Sequence, residues 1–279
     1  MPDTAPAALL HSAFYRFTPL ADPAAAAAAV RRLAAGLQGS ITLAAEGLSG
    51  AVSGTAAAVH AFEAALQQPG TLGGVLRGMA FKHSACTTAP FGRLKVVVKP
   101  EIVALGLPGG DALPPPDERD ASHLPPAAWR ALLARDDVVL LDNRNHFEFR
   151  LGHFRGAADP QVRNFRDFVA YVQAHAPAWR AAGTPVAMYC TGGVRCDKTA
   201  PWLRSLGLDV FQLEGGILNY FQQLPDADRD WQGECFVFDN RLALDSRLRE
   251  TATTADQVFD ATDAGEAWRL ARARRLDAS

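Results

Sequence analysis

Residues 185–203 read PVAMYCTGGVRCDKTAPWL, a run in which an apolar strand ends on Cys190 and two glycines and an arginine lead into a helix. Amides from Thr191 through Gly192, Gly193 and Val194 to Arg195 can turn inward and form an anion nest around Cys190 Sγ. Gly192 and Gly193 suit such a nest, which needs positive φ and no Cβ. The positive end of the following helix and the Arg195 charge both favour thiolate over thiol. Cys190 is therefore expected to be a nucleophile of low pKa. The competing assignment, a buried cysteine in an ordinary strand-to-helix turn, leaves the paired glycines and Arg195 without a purpose. Cys196 is read as a helix-packing residue in preference to a resolving thiol. Cys86 and Cys235 are read as packing residues.

The elements around this loop alternate in α/β fashion. Residues 137–142 (DVVLLD) and 184–189 form apolar strands of the kind buried on both faces. Helices are expected over 164–175, 196–206 and 216–224, with a further strand at 209–213, and the alternation implies a parallel sheet with helices on both sides. Pro201 would cost the loop helix a hydrogen bond unless it lies within the first turn, which puts the length of that helix in question. Upstream, residues 13–18 read as a strand and 22–37 as a helix entered through Asp22-Pro23. Residues 40–52 look like a hairpin closed near Glu46, 55–68 like a helix capped by Thr55, and 93–105 like a strand. The β-α-β-β-α-β order predicts a ferredoxin-like, acylphosphatase-like α+β domain.

Residues 107–126 (LPGGDALPPPDERDASHLPP) are too rich in Pro, Gly and Asp to sustain helix or sheet. The expected organisation is thus a ferredoxin-like domain over 1–106, a linker over 107–126, an α/β domain over 127–228 and an extension over 229–279. That tail offers one strand, 234–238, and an Arg- and Ala-rich end that is partly helical or loose. At 279 residues the chain has room for two domains, and 48% hydrophobic against 21% charged residues is a globular composition. A net charge of −2 excludes a global basic field, so any nucleic-acid contact must be local. Four cysteines are too few for a disulfide framework. The N-terminus lacks a basic segment, so no signal peptide is expected, and no apolar run nears 18 residues. A soluble, cytoplasmic protein without a membrane partner is the expectation.

The loop, together with residues 140–157 (LLDNRNHFEFRLGHFRGA), resembles the rhodanese superfamily in its strand-Asp-x-Arg, Glu and Gly-His-x-x-Gly-Ala signature. Phosphatases on that fold carry a loop one residue longer than the six residues from Cys190 to Arg195, so a persulfide-sized group fits better here than a phosphate. Further stretches, 44–53 (AAEGLSGAVS), 91–106 (FGRLKVVVKPEIVALG), 213–220 (LEGGILNY) and 231–240 (WQGECFVFDN), extend the match over both domains. With 189–198 (YCTGGVRCDK), the chain resembles the bacterial rhodanese-like tRNA uridine hydroxylase family. The resemblance implies oxygen-dependent 5-hydroxylation of the wobble uridine of tRNA anticodons, with Cys190 as the essential cysteine. Many members carry a C-terminal cysteine cluster, whereas residues 251–279 contain no cysteine.

With no Cys-x-x-Cys or His-x-x-x-His pair in the chain, no metal is expected. No flavin, haem or nicotinamide fingerprint is present, so no cofactor is evident from sequence, and the resemblance implies molecular oxygen and an unknown electron donor as co-substrates. Only four of the 28 basic residues are lysines, Lys82, Lys95, Lys99 and Lys198, and Arg93, Lys95 and Lys198 are candidates for RNA phosphate contacts. The expected partner is tRNA, through its anticodon region, and not DNA. His146 and His153 are read as structural. Two mechanisms suit the loop: Cys190 adds to C6 of uracil, or it becomes a persulfide or oxidised sulfur that delivers oxygen. Plain transfer of sulfane sulfur from thiosulfate is the rival activity; it needs only the loop and leaves the N-terminal domain unused.

Overall fold

The computed structural model describes residues 9–107 and 121–277. The chain divides into two compact units, Met1–Val103 and Ala104–Ser279. Residues 1–8, residues 108–120, which make up most of the expected linker, and residues 278–279 lie outside the described residues.

In the first unit, strand β1 (Leu9–Phe17) leads into helix α1 (Pro23–Leu33), whose cap Asp22 accepts hydrogen bonds from the Ala24 and Ala25 amides. Strands β2 (Gln38–Ala44) and β3 (Gly47–Gly54) form the expected hairpin, and Gly47 closes it at φ 140° where a Cβ would strike the Arg16 carbonyl. Helix α2 (Ala56–Leu66) starts at Thr55, whose Oγ1 accepts from the Ala58 amide. Strands β4 (Phe81–Cys86) and β5 (Leu94–Val98) complete the sheet in the order β4-β1-β3-β2-β5. Strands β4-β1-β3-β2 are the antiparallel ferredoxin-like core, and β5 adds in parallel to β2.

The run 93–105 is expected from its apolar pattern to be the last strand of that core. The structure gives that place to β4, whose FKHSAC sequence has one buried residue and polar side chains at its centre, the pattern of an edge strand. The 93–105 run contributes only the five residues of β5. The core fills with Val30, Ile41, Leu43, Leu48, Val52, Val59, Phe62 and Leu66. Glu46 stands in the hairpin turn as expected, and its Oε1 also accepts the Ile102 amide at 2.7 Å, tying down the chain after β5.

The second unit opens with β6 (His123–Leu124) and helix α3 (Pro126–Leu133), neither of which the sequence analysis assigned. The expected linker therefore ends in structure: β6 pairs in parallel with β10 (Val210–Leu213) at the edge of the sheet β6-β10-β9-β7. The other strands are β7 (Val139–Asp142) and β9 (Val186–Tyr189), all parallel. Every residue of β9 is buried, because the sheet is covered on both sides. Leu141, Val186 and Met188 meet helices α5 (Phe168–Ala182) and α6 (Val194–Ser205). Leu140, Ala187 and Tyr189 meet Trp129 of α3 and Ile217 and Tyr220 of α7 (Gly216–Gln223). Helix α5 starts later than expected because 165–167 form a 3-10 turn capped by Asn164, and it ends at Gly183. Helix α6 starts earlier, at Val194, and continues through Pro201 to Ser205, so the proline does not set its length.

The tail is integrated into this unit. Short helix α4 (His146–Leu151) and strand β8 (Gly152–Phe154) receive β11 (Trp231–Gly233), which pairs antiparallel with β8. The expected 234–238 strand shrinks to β12 (Cys235–Phe236), paired with β13 (Ala243–Leu244). Helices α8 (Ala255–Val258) and α9 (Ala264–Asp277) follow. Phe147, Phe236, Phe259 and Leu270 form one cluster, so the Arg-rich end is helical and its first half is packed down onto α4. Among the described residues no helix is long and apolar enough to cross a membrane.

Candidate active site

Cys190 follows β9 directly, at the carboxyl end of a central strand, where parallel sheets gather their ligands. The loop turns back over the sulfur: Gly193 adopts φ 99° and its amide donates to Cys190 Sγ at 3.1 Å. Burial of the thiol resists ionisation. It is outweighed by a hydrogen bond from the Cys196 thiol, by the Arg195 charge and by the Cys196 and Arg195 amides, and the Cys190 pKa falls to about 6. Cys196 takes the opposite course, its thiol held protonated by burial and by the neighbouring Cys190. Cys196 thus packs in α6, as expected, and also donates to the nucleophile. Cys235 is an inert core residue, pushed up to about 12 by burial.

Arg195 is held in place by Glu148 of α4. Its two terminal nitrogens donate to the Glu148 carboxylate at 2.7 and 2.9 Å, a bidentate pair with both groups buried. Glu148 also accepts the Asn145 amide at 3.2 Å and the Thr191 hydroxyl at 3.5 Å. The same guanidinium also lies over aromatic rings, its Cζ 5.6 Å from the Phe238 centroid and 5.9 Å from that of Phe165. Asn143, after β7, donates to Thr199 Oγ1 at 2.8 Å and to Cys196 Sγ at 3.8 Å, and its carbonyl accepts from Arg195. The cradle therefore spans α4, the β7 end, the loop and α6.

The remaining signature residues are scaffold. Arg144 is fully buried, forks onto Asp142 at 2.6 and 2.8 Å, donates to the Gly152 carbonyl and lies over the Tyr189 and Trp231 rings. His146 pairs with Asp159 at 2.6 Å, and His153 stacks on Phe149, so both histidines are structural as expected. The Gly-Gly of 213–220 has a reason that spacing did not supply. Gly216 sits at φ 71°, where a Cβ would run into the Cys190 and Thr191 carbonyls, and the Ile217 and Leu218 amides bind those carbonyls at 3.0 and 3.1 Å.

Sequence reasoning missed Glu148 as the Arg195 partner, together with Asn143, Gly216, Phe165 and Phe238. Glu148, Asn143, Gly216 and Phe238 all lie within stretches that carry the family resemblance, whereas Phe165 lies outside them. The phosphate candidates divide. Arg93 and Lys95 are exposed on the first unit, at β5. Lys198 is 5% exposed within α6, so it presents no charge to solvent, and its assignment as a phosphate contact is withdrawn.

Comparison with known proteins agrees with this architecture. Residues 10–102 match the family model described as the UPF0176 acylphosphatase like domain, and residues 116–223 match the rhodanese-like domain. A tRNA uridine(34) hydroxylase from Nitrobacter winogradskyi is 43% identical over 255 residues, spanning 89% of this chain and 96% of that protein. The protein of the same name from Deinococcus radiodurans is 40% identical, spanning 89% of this chain and 80% of its own length. A third, from Synechococcus elongatus, is 43% identical over 85% of each chain.

Proposed function

The chain belongs to the tRNA uridine(34) hydroxylase family, and from that premise we propose that it hydroxylates C5 of the wobble uridine of tRNA, with Cys190 as the nucleophile and molecular oxygen as the oxidant. The observation that carries the assignment of Cys190 is the loop geometry, with the Gly193 amide on Sγ at 3.1 Å and Cys196 and Arg195 beside it, which draws the thiol pKa down to about 6. In the sequence of steps that fits this site, Sγ bonds to C6 of uracil and the C5–C6 electron pair moves onto C5. C5 bonds to dioxygen, which takes up one proton from solvent to give a C5 hydroperoxide. Two electrons from an external donor, with two protons, reduce that hydroperoxide to a C5 hydroxyl and water. Loss of the C5 proton then expels the Cys190 thiolate and restores the double bond.

Such chemistry needs a base removed from its stack, and splayed bases rest on aromatic faces. Phe238 is 60% exposed and its ring lies 5.6 Å from the Arg195 guanidinium, which supports a stacking surface beside the loop. On α9, Trp268, Arg272 and Arg275 are exposed with a spacing that places them along one helix face, and exposed Arg163 and Arg166 flank Phe165. These charges, with Arg93 and Lys95 on the first unit, are the proposed contacts to the phosphates of the anticodon arm.

Nucleoside mass spectrometry of tRNA from cells lacking the protein tests this assignment, with complementation by wild type or Cys190→Ala. The expected result is loss of 5-hydroxyuridine derivatives, restored only by wild type. Persistence of those nucleosides, with rapid thiosulfate turnover by the purified protein, would replace hydroxylation by sulfur transfer.

A further inference from the structure

Helix α2 turns Val59, Phe62 and Leu66 into the core of the first unit, and Glu63 shares that buried face. A carboxylate at a core position is costly unless other groups satisfy it. Two residues on the sheet do so. Ser12 on β1 donates to Glu63 Oε1 at 2.6 Å, and His83 on β4 places Nε2 at 2.6 Å from the same oxygen. Ser12 and His83 stand directly opposite each other in the β1–β4 ladder, so they face α2 together. One turn before Glu63, His60 sets its ring 5.5 Å from that of His83, and one donor atom from each of His60, Glu63 and His83 lies within 4.8 Å of the others.

From this juxtaposition we infer that His60, Glu63 and His83 form a binding site for a first-row divalent metal ion. Two imidazoles and a carboxylate are the donor set of many zinc and non-haem iron sites, and a His-x-x-Glu pair on one helix face supplies two of the three here. Around a tetrahedral ion with bonds of about 2.0–2.1 Å, neighbouring ligand atoms stand about 3.3 Å apart. The His83–Glu63 contact must therefore open slightly and the widest gap must close. Both imidazoles are exposed and free to rotate to that extent, whereas Glu63 is fixed by burial and by the Ser12 hydroxyl, an outer hydrogen bond of the kind that orients a ligating carboxylate. In the metal-free protein His83 Nε2 and Glu63 Oε1 are hydrogen-bond partners at 2.6 Å. With three protein ligands on a tetrahedral ion, one position is left for water. The site lies wholly within the first unit and owes nothing to the Cys190 chemistry.

Calorimetric titration of the full-length Cys190→Ala protein with Zn(II) and with Co(II) tests the inference, since this background removes the competing thiolate. One equivalent of metal is expected, and Co(II) should give visible bands of a nitrogen–oxygen tetrahedral ion without a thiolate-to-cobalt charge-transfer band. His60→Ala, at an exposed position that leaves the Glu63–His83–Ser12 contacts intact, should weaken binding at least 100-fold. Ser12→Ala should weaken it about 10-fold, the usual effect of losing an outer-shell partner. Unchanged affinity in His60→Ala would overturn the inference and leave a plain Glu63–His83 ion pair. A thiolate band would overturn it equally, by placing the ion at another cysteine.

Discussion

Replacing Cys196 with alanine should raise the pKa of a different residue, Cys190, while leaving the loop in place. Cys196 is the largest of the favourable influences on that thiolate, ahead of the Arg195 charge and the loop amides. A hydrogen bond to a charged group contributes about 1.5–3 kcal/mol, and a thiol is a weak donor, so the lower end applies. Since 1.36 kcal/mol corresponds to one pKa unit, the Cys190 midpoint should move from about 6 to about 7. At pH 7 the ionised fraction would then fall from about 90% to about half. Thiolate absorbance in the ultraviolet, taken as the difference between each protein and its Cys190→Ala counterpart, reads this midpoint directly. Cys196→Ser keeps an O–H donor and should restore a midpoint near 6, which separates hydrogen bonding from a cavity effect. A midpoint in Cys196→Ala equal to that of wild type would refute the reasoning, as would a wild-type midpoint near 9.

The same thiolate should make stability depend on pH. The folded pKa lies near 6 against an ordinary value of 9.0, so between those values the unfolded chain holds a proton that the native one does not. The contribution of Cys190 therefore grows from pH 6 to 9, is complete above about 9 and is lost as pH falls through 6. Denaturant titrations of wild type and Cys190→Ala should diverge across that window by up to about 4 kcal/mol, and parallel curves would contradict it. Gly216→Ala forces a Cβ against the Cys190 and Thr191 carbonyls and should cost about 100-fold in hydroxylation, the usual effect of misplacing a reacting group by an ångström; activity within a few-fold of wild type would show that the loop can relax. Phe238→Ala should raise KM for tRNA by about 5- to 150-fold, from about 1–3 kcal/mol per stacked base, with the Cys190 midpoint unmoved. Phe238→Trp should retain function, and a KM indifferent to both changes would remove the ring from the substrate path.

Local signals carried the sequence analysis a long way. Asp22 and Thr55 announced their helices because caps are read over three residues, and the buried strands around Leu141 and Met188 announced a two-sided sheet because both faces are apolar. Cys190, Gly193 and Arg195 were legible for the same reason: one strand-turn-helix unit holds them all. Edge strands were not. The polar centre of β4 carries no alternation, and β6 is two residues long inside a proline-rich stretch. Long-range partners were equally silent. Glu148 lies 47 residues from Arg195, and the grip of Gly216 on the loop depends on how α7 docks. The expectation of no metal rests on ligand pairs close in sequence, a signal that does not reach His83, which stands 20 residues from Glu63 and meets it through the pairing of β4 with β1.

The magnitude of the Cys190 shift bears on what the loop is for. Lowering the pKa from 9 to about 6 raises the ionised fraction at pH 7 about 90-fold. Intrinsic thiolate reactivity falls with basicity, however, with a Brønsted slope of about 0.4–0.5, so the same shift costs about 15- to 30-fold in attack per ionised group. The net gain in nucleophilicity is only a few-fold, too small to account for a buried Glu148–Arg195 pair, a positive-φ glycine and an inward-facing second thiol. The larger benefit comes when the sulfur leaves. A thiolate of low pKa is expelled faster, and in the proposed cycle the last step is expulsion of Cys190 from C6. The cradle is thus better matched to releasing the product than to capturing the base. On that account a weakened cradle, as in Cys196→Ala, should slow turnover after the adduct has formed, and the covalent tRNA–Cys190 species should accumulate under turnover rather than disappear.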